Sequence, residues 1–318
     1  MEKFKYLQKI KEIYAQGGNI INYLKTLGQN QLNSIEDILI SYDFQSGSYI
    51  KSFATNPTHK NEYCAALAKI IDGLDQANSI IEVGVGEATT LSTLLSKLNH
   101  KPADVLGFDI SWSRIKFAQE FLKDFGFDHC RLFTANLFEI PLLNNSVDIV
   151  YTSHSIEPNG GQDENALKEL YRITNKYLIL LEPSYEFAHE EARKRMVEHG
   201  YVTKLHQTAI DLNYKIIEHR LFDFSANPLN PTGIMIIEKE GGQKNKAELV
   251  CPITFTNLEK LNAGLLYSND CFLAYPVIEN IPCLLKENSI LASHLKTNFE
   301  AYKTKFDIDY SVKEYETQ

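Results

Sequence analysis

The chain is poor in several things, and each shortage removes a class of protein. No apolar run in its 318 residues approaches the ~20 that cross a bilayer as a helix. The opening stretch, MEKFKYLQKIKEIY, is charged throughout and has no apolar signal-peptide segment. A cytoplasmic location with no membrane partner is the expectation. Cysteine is scarce: Cys64, Cys130, Cys251, Cys271 and Cys283 make an odd count at irregular spacing. That fits reduced thiols better than a disulfide framework. Positive charge is in deficit, with 32 Lys and Arg against 41 Asp and Glu, a net charge of −9. A protein that holds a long nucleic acid usually carries a basic surplus or stripe. The densest basic run, Arg193 to Arg195, directly follows Glu190 and Glu191 and reads as a solvated helix face. There is no internal repeat.

What is present reads as a large α/β domain with additions at both ends. The 44% hydrophobic and 23% charged content is ordinary for a globular chain with a well-buried core. Residues 1–75 read as a helical segment, with Ile10, Ile13 and Tyr14 on one face, then Ile20, Ile21 and Leu24 on another. The stretch SYDFQSGSYI, 41–50, reads as less regular. From residue 79 strand and helix alternate: SIIEV, ATTLSTLLSKLN, VLGFDI, SWSRIKFAQEFLKDFG, CRLFTA, VDIVYTS, ENALKELYRIT, KYLILLEP and EFAHEEARKRMVEHG. That order predicts a parallel sheet with helices on both faces. YKIIEHRLFDF and GIMIIEKE have no helix between them, so they should form an antiparallel edge hairpin. The expected fold is α/β, a Rossmann-like, doubly wound sheet of seven strands with an antiparallel last strand. EGGQKNKAE, 240–248, reads as a linker into a small β-rich module.

The stretch IIEVGVGEATT, 80–90, ends a buried strand and opens a helix around two glycines. Gly84 and Gly86 allow a tight turn and a close approach to a ligand. A dinucleotide site wants a third glycine, where this chain has Thr89. Glu82 would also repel a pyrophosphate, whereas it suits an amine. Asp109 ends the second strand, where an acid accepts ribose hydroxyls. Asn136, after the third strand, is placed to hydrogen-bond an adenine edge.

On these residues the stretch 79–240 resembles a class I S-adenosyl-L-methionine (SAM)-dependent methyltransferase. EVGVGEA is similar to that family's first motif, and GFDIS to its ribose-binding acid. In TANLFEIPLLNNSVDIVYTSH, Asn136, Pro141 and Asp148 fill the family's adenine-binding and fourth-strand places. Ala88 stands where a glycine is common, and Asn136 where an aspartate is. The resemblance implies SAM as cofactor, touched by Glu82, Gly84, Val85, Gly86, Asp109, Ile110, Asn136, Leu137, Ser153 and Tyr49. It also implies an N-terminal lid, for which Tyr42, Gln45 and Tyr49 are suited. The expected domains are 1–75, helical segment or lid; 76–241, SAM-binding methyltransferase domain; 248–296, the module; and 297–318, a polar tail.

Methyl transfer needs an acceptor aligned behind the methyl group, and a base where the acceptor must lose a proton. SHSIEPNGG, 153–161, follows the fourth strand and therefore faces the ligand crevice. His154 has the pKa of a general base near neutrality. Glu157 is suited to orient it or to bind an acceptor amine, and Asn159 to hold hydroxyl or amide groups. These three are the catalytic candidates. Sequence leaves a structural role open for each of them, and Glu182 is a weaker candidate.

The module, with its CP, AYP and IP landmarks, is similar to the small zinc-ribbon-like activator subunit that partners eukaryotic tRNA, ribosomal-RNA and release-factor methyltransferases. Its thiols lack paired C-x₂-C spacing, with Thr254 three positions after Cys251, so no metal is expected. Its apolar runs should pack on the sheet edge or on a second subunit, a homodimer. The expected activity is methylation of O or N on a small molecule. A nucleotide-activated sugar such as a nonulosonic acid, in surface-glycan biosynthesis, is the sharpest form of that expectation. The alternatives are a tRNA, rRNA or protein methyltransferase with a fused activator, a catalytically silent scaffold, and an NAD-linked enzyme.

Overall fold

A computed structural model describes residues 2–28, 32–225, 227–240, 242–261 and 264–306. Five helices come first: α1 (Leu7–Ala15), α2 (Ile20–Gly28), α3 (Ile35–Phe44), α4 (Ser48–Thr55) and α5 (Pro57–Asp72). Local chemistry sets several of their ends. Ser34 and Asp37 form a reciprocal capping box on α3, and α5 starts with Pro57 after the Asn56 side-chain cap. The stretch 41–50 is not irregular, as its composition suggested. It is the end of α3 and the start of α4, broken only where Gly47 takes a φ of 92°. Glycine tolerates that left-handed turn, so a loop-like composition hides a helix–helix corner.

The α/β part runs β1 (Ser79–Val83), α6 (Thr89–Lys97), β2 (Asp104–Asp109), α7 (Trp112–Asp124), β3 (Arg131–Thr134), β4 (Val147–Ser153), α8 (Asp163–Ile173), β5 (Thr174–Pro183), α9 (Glu190–His199), α10 (Leu205–Asp211), β6 (Lys215–Leu221) and β7 (Thr232–Glu238). These strands form one seven-stranded sheet in the order β3-β2-β1-β4-β5-β7-β6. β1 pairs in parallel with both β2 and β4, while β7 is antiparallel to both of its neighbours. The sheet thus has the expected Rossmann-like form. Two apolar clusters cover its faces, one including Leu67, Leu91 and Ile115, the other Ile81, Val150 and Leu170. α9 starts at Glu190, later than its sequence pattern implied, because the His189 side chain caps it. α10, only seven residues long, carries too short a pattern to be seen in sequence. The strand order reverses at β1, so a crevice opens over its carboxyl end between the connections that leave in opposite directions.

Past the sheet come β8 (Leu258–Leu261), β9 (Leu265–Ser268), β10 (Leu273–Ile278), β11 (Ile281–Pro282), β12 (Ile290–Leu291) and α11 (Phe299–Phe306). The small sheet they build sits on the β3 edge. Leu284 N–H donates to Thr134 O at 2.9 Å, and Lys286 Nζ reaches Glu139 at 2.6 Å. Edge pairing of this kind covers backbone groups that would otherwise be unpaired. The stretch read as a linker is pinned rather than free. Lys244 Nζ lies 2.6 Å from the buried carboxylate of Asp148, at the amino end of β4. Asp148 also accepts the Asn78 and Ser79 N–H groups and the Asn175 amide. Burial works to raise its pKa, but the Lys244 and Asn175 hydrogen bonds win and hold it low. It is a structural acid, at the opposite end of the sheet from the crevice. Residues 307–318 of the polar tail lie outside the described residues. Among the described residues no helix is long and apolar enough to cross a membrane.

Candidate active site

A cavity of about 560 Å³ opens over the carboxyl ends of β1, β2 and β4 and is roofed by α3, α4 and α5. Its floor is the turn after β1. Gly84 and Gly86 have φ of 68° and 54°, and a Cβ on Gly84 would meet Ser155 Cβ at 2.3 Å. A side chain there would both strain the backbone and displace the loop after β4. Ala88 caps α6 at a φ of 57°, also left-handed. Glycine adopts that conformation more readily, so the alanine here carries backbone strain.

Glu82 projects from the end of β1 into the cavity wall. It is buried, and its Oε2 accepts the Tyr151 hydroxyl at 2.9 Å. Burial dominates and pushes its pKa up to about 8. Asp109, at the end of β2, accepts the Gly86 N–H at 3.1 Å and the Ser111 N–H at 2.9 Å. Burial raises its pKa as well, opposed by the Arg114 guanidinium. Val85, Ile110, Asn136, Leu137 and Ser153 complete the wall. Asn136 Oδ1 accepts the Phe138 N–H at 3.0 Å, which fixes the amide in place, and Ser153 Oγ lies 3.0 Å from Tyr63 OH. The floor therefore offers an acid for an ammonium, an acid for a diol, and an amide for a heteroaromatic edge.

The roof depends on two residues that sequence reasoning missed. Glu87, wholly buried, accepts the N–H groups of Gly47 and Ile50 at 2.9 and 2.8 Å, fastening the start of α4 to the glycine turn. Arg114, 1% exposed, gives Nη1 to Glu87 and Nε to Tyr42 O. Its guanidinium lies 4.3 Å from the Tyr49 ring centre and 5.0 Å from that of Tyr42. Arg114 Nη2 has no hydrogen-bond partner among the described residues, although the side chain lines the cavity. The one clue in the sequence is a charged residue beside Ile115, on the packing face of α7. Tyr42 and Tyr49 line the cavity; Gln45 does not, and bonds Ser41 Oγ instead.

The segment after β4 holds the catalytic candidates. His154 lines the cavity at a left-handed φ of 57°. Its Nδ1 is 2.8 Å from Glu157 Oε2 and its Nε2 is 2.8 Å from Thr232 Oγ1. Burial works against an imidazolium there, but the Glu157 hydrogen bond and charge outweigh it, so the His154 pKa is raised. Glu157 is not part of the cavity wall; it stands behind His154, where it also accepts the Asn230 amide at 3.3 Å. Its placement suits orienting the imidazole and not touching an acceptor. Asn159 lines the wall and ties its amide to Ile156 O at 3.2 Å. Glu182, at the end of β5, accepts the N–H groups of Ser155, Ile156 and Glu157 at 3.0, 3.2 and 3.1 Å. Burial pushes its pKa up to about 7. It positions the loop and does not line the cavity. The far side of the cavity is lined by Asn56, His59, Phe224, Asn227, Asn230 and Thr232. Among the described residues no group of three or more His, Cys, Asp or Glu is arranged to hold a metal ion.

Residues 80–177 match a family model described as a methyltransferase domain. No curated protein matches the chain. Solved structures similar to it include the magnesium protoporphyrin IX methyltransferase of Synechocystis PCC 6803 with bound S-adenosylhomocysteine (SAH). That likeness is at 13% identity and TM-score 0.45, over 57% of this chain and 84% of that one. A SAM-dependent methyltransferase from Aquifex aeolicus is similar at 16% identity and TM-score 0.41, over 54% and 87%. The 4+2 cyclase SpnF is similar at 12% identity and TM-score 0.45, over 56% and 82%.

Proposed function

We propose that the chain is a SAM-dependent methyltransferase acting on O or N of a small polar molecule. The observation that carries this reading is the meeting of Glu82, the Gly84–Gly86 turn and Asp109 on one cavity wall. S-adenosyl-L-methionine is the cofactor: Glu82 takes its ammonium, Asp109 its ribose diol, and Asn136 the adenine edge. The Arg114 guanidinium, a cation on the cavity wall, pairs with the methionine carboxylate. His154, oriented by Glu157, accepts the acceptor's proton in place of its contact with Thr232. The size of the cavity and the amides of Asn56, Asn159, Asn227 and Asn230 suit an acceptor rich in hydroxyl or amide groups. A nucleotide-activated sugar of surface-glycan biosynthesis is the sharpest such candidate. An RNA or protein acceptor, with the C-terminal module as a fused activator, has less support. Arg193 spends its guanidinium on Tyr185 O and Glu186 O, and Arg195 lies over the Tyr201 ring, so the basic run is no open groove.

The first test is thermal unfolding with SAH, SAM or NAD. A ligand at 100 times its dissociation constant adds about 2.7 kcal/mol of stability. The two sulfur ligands are expected to raise the melting temperature and NAD to leave it unchanged; a shift with NAD alone would sink this reading.

Two finer outcomes follow from the wall. Below about pH 8 Glu82 must lose a proton before it meets the ammonium. SAH affinity is therefore expected to climb about tenfold per pH unit between pH 6 and 7 and to flatten towards 8. 5′-Methylthioadenosine, which lacks the ammonium, should show a flat profile in calorimetry over the same range. Arg114→Lys removes a planar, two-pronged donor. It should weaken SAH by about tenfold while leaving methylthioadenosine, which also lacks the carboxylate, nearly unchanged. Equal losses for both ligands would move Arg114 away from the carboxylate.

A further inference from the structure

The C-terminal module brings together two thiols that lie 20 positions apart in sequence. Cys251 Sγ and Cys271 Sγ are 3.6 Å from one another. Cys251 is buried in the turn that leads into β8, and Cys271 is half-buried in the turn between β9 and β10. The pair is set among hydroxyls, with Tyr275 OH 3.5 Å from Cys251 Sγ and Cys271 Sγ 3.1 Å from Ser268 Oγ. Two other thiols have backbone partners instead: Cys64 donates to Thr90 O and Cys283 to Ile281 O.

We propose that Cys251 and Cys271 form an oxidisable pair that closes reversibly into a disulfide when it meets a peroxide. Bond formation needs the sulfurs at about 2.05 Å, and both cysteines lie in turns outside the strands, so closing the 3.6 Å gap breaks no strand pairing. The surroundings also favour the reactive form. Burial opposes a thiolate at Cys251, but the Thr254 and Tyr275 hydroxyls and the Thr254 and Ile253 N–H groups hold its pKa down to about 7.

The chemistry balances with hydrogen peroxide as the oxidant. Cys271 is the less buried of the two, so peroxide meets it first; burial and the neighbouring Cys251 hold its thiol up, and its thiolate forms as its proton passes to Cys251 Sγ. Its thiolate takes one oxygen, the O–O bond breaks, hydroxide leaves, and Cys271 becomes a sulfenic acid. The Cys251 thiolate then attacks that sulfur, the S–O bond breaks, and a second hydroxide leaves. With the two thiol protons counted, two thiols and one peroxide give one disulfide and two waters.

The test uses the full chain, exposed to hydrogen peroxide, alkylated under denaturing conditions and mapped by mass spectrometry. The expected result is loss of two of the five alkylatable thiols, a peptide pair joining 251 to 271, and full recovery with dithiothreitol. Cys130, half-buried in the connection between α7 and β3, serves as the internal reference and should stay alkylatable. In Cys251→Ser, the sulfenic acid at Cys271 should persist and be trapped by a dione reagent. All five thiols remaining free would overturn the proposal. So would a link to any other cysteine, or direct passage of Cys271 to sulfinic acid without a link.

Discussion

Asp109→Ala is expected to lower affinity for SAH by roughly a hundred- to a thousand-fold, the loss of two charge-assisted hydrogen bonds to a diol. The position of the carboxylate decides the size of the effect. Its two oxygens already accept Gly86 and Ser111 N–H groups, so the side chain has no rotational freedom left to lose on binding. It is thus preorganised for a ligand lying over the glycine turn. Methylthioadenosine keeps the ribose, so it should weaken as much as SAH does. That separates Asp109 from Arg114, whose replacement should spare methylthioadenosine. Asp109→Asn retains the shape and one acceptor and should fall between the two. Calorimetric affinity unchanged in Asp109→Ala would remove the ribose assignment, whatever the fate of the rest of the site.

His154→Ala is expected to lower turnover by about 10²- to 10⁴-fold while leaving SAH affinity close to that of the parent chain. His154→Asn is the better control, because asparagine adopts the left-handed backbone of this position more readily than alanine. The readout is SAH release with the acceptor found by screening sugar nucleotides. The pH profile adds a readout that a merely structural residue would not move. A base works when unprotonated, so turnover should rise with pH through the His154 pKa, which lies above its ordinary value. Glu157→Gln removes the negative charge that raises it. The rising limb should then shift to lower pH, with a lower plateau because the ring is less firmly oriented. Turnover that survives in both His154 variants means that another group, or none, takes the proton.

Much of the sheet was legible because parallel strands buried on both faces read as unbroken apolar runs, as SIIEV does in β1. The floor of the site was legible for a related reason. Glu82, Gly84, Gly86 and Asp109 lie at strand ends, and strand ends converge in a doubly wound sheet. The roof was not legible. Its decisive contacts join Glu87 to Gly47 and Ile50 across 40 and 37 residues, and nothing in local pattern announces such a pairing. Glu182 was undervalued for a similar reason, since its work is to hold three amides of a loop that begins at residue 155. The pinned linker was hidden because Gly, Gln, Asn and Lys look the same whether free or anchored by one ion pair to Asp148.

The Glu87 carboxylate has a kinetic meaning. One side chain fastens the ceiling of the cavity to its floor, with Tyr49 lying across Gly86. The door and the threshold share a hinge pin. Parting the two at this place would break two N–H hydrogen bonds and a guanidinium contact together. On the function proposed above, an opening of that kind would set a ceiling on turnover independent of the methyl-transfer step.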